Sequence, residues 1–135
     1  MSKMSGISVT GGALSVAEVV KVAREYEEVT LDPGAREHVA RRRDIINSKA
    51  ADPQAHYGVS TGFGALATTF ISTDRRRQLQ LSLIRSHAAG TGAEVDTEVV
   101  RALMLLRLRT LMTGHTGVRP EVCDLYAAML NHRVT

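Results

Sequence analysis

Val16, Val19, Val20 and Ala23 return at helical spacing directly behind Ser15-Val16-Ala17-Glu18, a run with the form of a capping box. The serine hydroxyl can accept from a backbone N–H while the glutamate reaches back to the cap, so an amphipathic helix is predicted from Ser15 to about Glu28. On either side stand two short β-prone stretches, Ile7 to Val9 and Val29 to Leu31, which could pair. Asp32-Pro33 is a helix start, with Asp as cap and Pro where a missing N–H costs nothing; that helix runs to about Ala50, before Asp52-Pro53. Thr73 opens another, to about Ala89, stopped by Gly90 and Gly92. Asp96 or Thr97 caps the next, whose residues Val99, Val100, Leu103 to Leu106, Leu108, Leu111 and Met112 are apolar almost all round. A helix apolar on every side needs cover on every side, which implies subunit contact or further sequence. After a Gly114 to Gly117 turn, Pro120 starts a last helix with an apolar stripe of Val122, Leu125, Tyr126, Met129 and Leu130. The expected class is mainly α, as a single segment over residues 1–135, with a small β element near the N-terminus.

The pattern breaks between Gln54 and Thr69, where Gly58, Gly62 and Gly64 interleave with Tyr57, Ser60, Thr61 and Phe63. A dinucleotide fingerprint wants a buried strand before its glycines and a helix opening at them, and a phosphate loop wants Gly-Lys-Ser/Thr. Ala51-Asp-Pro-Gln-Ala-His56 is no such strand and no such tripeptide follows, so nucleotide binding is excluded. Two readings stand: a tight connector, or a rigid loop presenting the Tyr57 phenol as an acid or base.

Composition narrows the classes. The 135 residues are 44% hydrophobic, enough for one globular domain, and no run of about eighteen apolar residues suggests a membrane span. The first residues lack the apolar stretch of a secretory signal, which makes a cytoplasmic setting the expectation. One cysteine, Cys123, excludes a disulfide framework and reads as a small core residue. Net charge is +3, and Arg is concentrated in triplets at Arg41 to Arg43 and Arg75 to Arg77. With no aromatic beside either triplet, a solvated or salt-bridged helix face is expected rather than nucleic-acid binding. The second triplet opposes its helix dipole and calls for an acidic partner, on this chain or another subunit.

Among His38, His56, His87, His115 and His132 there is no i, i+4 pair with a third ligand, so no metal site is expected. His38 and His132 read as surface residues. His87 follows Ser86 at the end of a helix and precedes Ala88-Ala89-Gly90. It is either a dipole-stabilising surface histidine or a site residue at the mouth of a bundle.

Three words in order carry more: Tyr57-Gly-Val-Ser-Thr-Gly-Phe-Gly64, Ser86-His-Ala-Ala-Gly90 and Gly114-His-Thr-Gly-Val-Arg-Pro120. Together they resemble the aromatic amino acid ammonia-lyases, most closely the histidine ammonia-lyase branch, from about Ile7 to Thr135. The resemblance implies the helical N-terminal portion of an ammonia-lyase-like fold. It also implies elimination of ammonia from L-histidine to give urocanate in histidine catabolism. By the same resemblance, Tyr57 is the loop tyrosine that exchanges protons with the substrate or its leaving amine. His87, buried beside Ser86, holds the substrate ring, and Gly58, Thr61, Gly62, Phe63 and Gly64 shape the pocket. The family needs no external cofactor; its electrophile, a methylidene-imidazolone, forms from an Ala-Ser-Gly tripeptide that these residues do not contain. The expectation is therefore the N-terminal portion of a homotetrameric lyase, inactive by itself. The alternatives are a non-catalytic helical interaction module derived from a lyase, or part of a phenylalanine or tyrosine ammonia-lyase.

Overall fold

The computed structural model describes residues 6–135. They divide into two compact units: residues up to Asp44 together with Glu94–Thr135, and Ile45–Ala93.

In the first unit, β1 (Ile7–Val9) lies parallel to β2 (Val29–Leu31), Ile7 facing Val29 and Val9 facing Leu31. Parallel neighbours cannot be joined by a tight hairpin, and the crossover is α1 (Val16–Arg24). The capping box is complete: Glu18 N–H donates to Ser15 Oγ at 3.2 Å and Ser15 N–H donates to the Glu18 carboxylate at 2.7 Å. These bonds hold the Glu18 carboxyl below its usual pKa, the serine backbone contributing most. The helix is shorter than the sequence predicts. It stops at Arg24 because Tyr26 takes a left-handed conformation (φ 57°) that turns the chain into β2.

Next comes α2 (Pro33–Ala51), at whose start Asp32 Oδ1 accepts the Ala35 N–H at 2.8 Å. The boundary between the units falls inside this helix. The first unit resumes with α4 (Thr97–Met112), which packs on α1 and on α5 (Pro120–Asn131); α3 (Thr73–His87) belongs to the other unit. Its core gathers Val9, Val22, Val29, Val39, Leu105, Leu108, Met112 and Leu130, with Cys123 among them as expected. Burial pushes the Cys123 thiol pKa up. Only one side of α4 is covered. Met104, Leu105, Leu108, Leu111 and Met112 are buried, whereas Val99, Leu103 and Leu106 stay exposed, Leu103 at 64%.

Sequence reasoning passed over Arg101, the largest fully buried side chain, at 1% exposure. Its guanidinium donates to Val22 O (2.9 and 3.1 Å) and to Leu130 O (2.9 Å), carbonyls in the last turns of α1 and α5. Two helix C-termini thus present partial negative charge to one cation. The Tyr26 ring lies 4.3 Å from the same guanidinium, with Arg133 near that ring at 4.8 Å. Desolvation draws the Arg101 pKa down, but arginine keeps its proton in this environment. Asn131 adds a strand-like contact: its side-chain amide pairs with both the N–H and the C=O of Val29, each at 2.9 Å. His38 is half-buried rather than a surface residue, its ring lying against Gly114.

The second unit holds the end of α2, a 3-10 turn at Gly64–Leu66, and α3 (Thr73–His87), which ends two residues before the predicted Ala89. Among the described residues it contains no buried apolar side chain; its buried polar residues are Ser60 and Thr61. The expected acidic partner for the second arginine triplet is replaced, at Arg76, by carbonyls: it donates to Ala50 O and Ile71 O and lies 5.7 Å from the Phe70 ring. Among the described residues no helix is long and apolar enough to cross a membrane.

Candidate active site

Tyr57 opens the glycine-rich loop of the second unit, with its side chain 66% exposed. The backbone beneath it is tied down closely. Val59 and Ser60 N–H donate to His56 O at 3.0 and 2.9 Å, and Gly58 N–H donates to Thr61 Oγ1 at 3.2 Å. The loop then closes as Ile71 N–H donates to Ser60 O at 2.8 Å, with an antiparallel bridge between Thr61 and Phe70. All three glycines are required by geometry. Gly58 and Gly64 have φ +69° and +56°, where any side chain is strained, and a Cβ on Gly62 would stand 2.5 Å from Leu66 Cβ. The Tyr57 ring meets Phe63 edge to face, with centroids 5.9 Å apart.

Phe63 links that loop to an open groove of about 430 Å³ lined by Phe63, Gly64, Leu66, Leu79, Ser82, Leu83, Ser86 and His87. Four residues that the sequence placed in two separate words, Phe63 and Gly64 with Ser86 and His87, therefore share one wall. Gly62 is buried behind them and does not line it. Leu79, Ser82 and Leu83 were not singled out from the sequence, although with Ser86 they keep i, i+3, i+4, i+7 spacing along one face of α3.

His87 is exposed, not buried as the family resemblance implied, because it is the last residue of α3 and nothing in its own unit covers it. Its Nδ1 lies 3.0 Å from both Leu83 O and Ser86 Oγ. A carbonyl only accepts, so this contact assigns the proton to Nδ1 and leaves Nε2 as the acceptor of the neutral ring. Ser86 Oγ in turn donates to Leu83 O at 2.9 Å. The groove is thus apolar along its length, with hydroxyls and an imidazole on the α3 wall, and a phenol lies beside it across Phe63. Such a surface can take up a flat ring by its faces and read a ring N–H by hydrogen bonding.

Behind the loop, Asp52 and His56 form an i, i+4 pair with Nε2 and Oδ2 2.9 Å apart. The Asp52 carboxyl is held below its ordinary pKa, first by the Gln54 N–H and then by His56. Among the described residues no group of three His, Cys, Asp or Glu could hold a metal ion.

The chain is mainly helical, with an apolar groove beside a loop phenol, and its sequence matches the aromatic amino acid lyase family over residues 14–135. The chain belongs to that family. It is 50% identical over 132 residues to a histidine ammonia-lyase of Streptomyces griseus, covering 98% of this chain and 26% of that relative. The chain thus spans about a quarter of the length of the curated relatives it matches. Among solved structures, an ergothionase from Treponema denticola superposes with a TM-score of 0.90 at 32% identity, over 94% of this chain and 26% of that one. A tyrosine aminomutase from Streptomyces globisporus gives 0.88 at 33% identity, over 94% and 24%.

Proposed function

We propose that the chain is the N-terminal portion of a histidine ammonia-lyase and contributes two groups to its reaction. Tyr57 exchanges a proton with the substrate Cβ or with the departing amine. His87, steadied by Ser86, accepts the imidazole N–H of L-histidine through Nε2. In the net reaction a proton leaves Cβ, the Cα–N bond breaks, ammonia departs and urocanate remains, the opening step of histidine catabolism. The observation that carries the reading is the shared groove, which brings Phe63 and Gly64 together with Ser86 and His87.

The methylidene-imidazolone of the family has no precursor in these 135 residues, which contain no Ala-Ser-Gly. The roles assigned to them are proton handling and ring binding alone, and by themselves they are inactive. The exposed Val99, Leu103 and Leu106 of α4 fit a homo-oligomer, and a cytoplasmic setting belongs to the same reading.

A chimera tests it, with this chain replacing the matching segment of the Streptomyces griseus enzyme. The chimera should release urocanate from histidine, and Tyr57→Phe should lower kcat by about a hundredfold or more with the fold intact. His87→Leu should raise KM for histidine and relax discrimination against phenylalanine and tyrosine. Unchanged kcat in the first variant removes the proton-transfer role. Unchanged histidine kinetics in the second removes the selectivity role. A chimera that prefers tyrosine or phenylalanine would move the chain to another branch of the family.

A further inference from the structure

We infer that Asp52, His56 and Ser60 form a positioning network that sets the placement of Tyr57, an inference that rests on the catalytic role proposed for that tyrosine. The phenol is mostly exposed, and its ring contact is an edge-to-face one with Phe63. Its aim is therefore set by its backbone, and that backbone is fastened on both sides. Before it, the His56 ring is held by Asp52 at 2.9 Å, while the other Asp52 carboxylate oxygen accepts the Gln54 N–H at 2.9 Å. After it, Ser60 is fully buried: Oγ accepts the His56 N–H at 2.9 Å and donates to Gln54 O at 3.3 Å. His56 O receives two further N–H groups, from Val59 and Ser60. His56 is thus bonded through its ring, its N–H and its carbonyl, and it is the residue joined directly to Tyr57.

The trio has the residue types of a nucleophilic triad, but its geometry is different. Ser60 Oγ bonds the backbone of His56, not its ring, and its proton is already committed to Gln54 O. A serine activated for attack needs the imidazole on its hydroxyl. The arrangement is one of support: a carboxylate fixes an imidazole, the imidazole's residue fixes a turn, and the turn presents the phenol.

Two readouts test this. In the lyase chimera, His56→Ala should lower kcat about tenfold with KM changed by less than about twofold, since loss of aim affects the chemical step more than binding. His56→Gln, whose amide can still donate to Asp52, should recover most of that loss. In the 135-residue chain, His56→Ala should speed amide exchange at Val59 and Ser60 while leaving the α4 amides unaffected. A full kcat in His56→Ala, an equal loss in Ala and Gln, a loss confined to KM, or unchanged exchange at Val59 and Ser60 each overturns the inference. Failure of the underlying reading looks different: Tyr57→Phe itself would then leave kcat unchanged. If Tyr57→Phe costs turnover and His56→Ala does not, only the positioning role falls.

Discussion

Arg101 and Tyr57 show two opposite ways in which one residue depends on its surroundings. Arg101 is charged and buried, and it is tolerated because three of its N–H groups meet carbonyls at two helix ends. Arg101→Ala would take a donor from both Val22 O and Leu130 O and open a cavity, so it should cost on the order of 3 kcal/mol or more, read as a lowered midpoint in urea. Arg101→Lys should recover only part, since an ammonium lacks the planar fork that reaches both carbonyls. Nothing in the spacing of α4 marked this arginine: it stands in an apolar run like any solvated cation. Tyr57 was legible because its neighbours are unusual. Glycines at 58, 62 and 64 are rare in a helical chain, and the structure gives each of them a conformational or steric reason. His87 was legible as a motif, but its exposure was not, because burial depends on what surrounds the end of α3.

At the scale of elements, local chemistry fixed starts better than stops. The Ser15 capping box and Asp32-Pro33 place the first residues of α1 and α2 as expected. The end of α1 is set by the left-handed Tyr26, and that conformation belongs with the Arg101 stack and the entry to β2. The Arg36–Asp124 pair ties α2 to α5 through two bonds of 2.8 and 2.7 Å. Arg36 holds the Asp124 carboxyl below its ordinary pKa. A carboxyl depressed by folding stabilises above its unfolded pKa, near 4, and loses that contribution as pH falls through the lower folded value. Wild type and Asp124→Asn should therefore differ in Tm at pH 7 and converge once the pH lies below the folded-state value. Both side chains are close to half exposed, so the difference should stay under about 1 kcal/mol and shrink in high salt. A Tm gap that persists at low pH would assign the effect to something other than the charge.

At the scale of the whole molecule, the two units are unequal. The first carries every buried apolar side chain among the described residues, while the second, which holds the candidate site, is fastened mainly by hydrogen bonds around Ser60 and Thr61. Local stability follows buried apolar contact, so amides of α3 and the Tyr57 loop should exchange with solvent well before those of α4 and α5. Equal protection in both units would contradict that expectation. The sequence by itself determined the helical class, the small β element near the N-terminus, the glycine-rich loop and the family, because these rest on periodicity, capping and short motifs, which are local. The tertiary structure alone decided that Arg101 is buried between two helix ends, that α4 is covered on one side only, and that Phe63 and Gly64 line one groove with Ser86 and His87. Each of those facts joins residues far apart along the chain, and such contacts are set by how elements pack rather than by the pattern within any one of them.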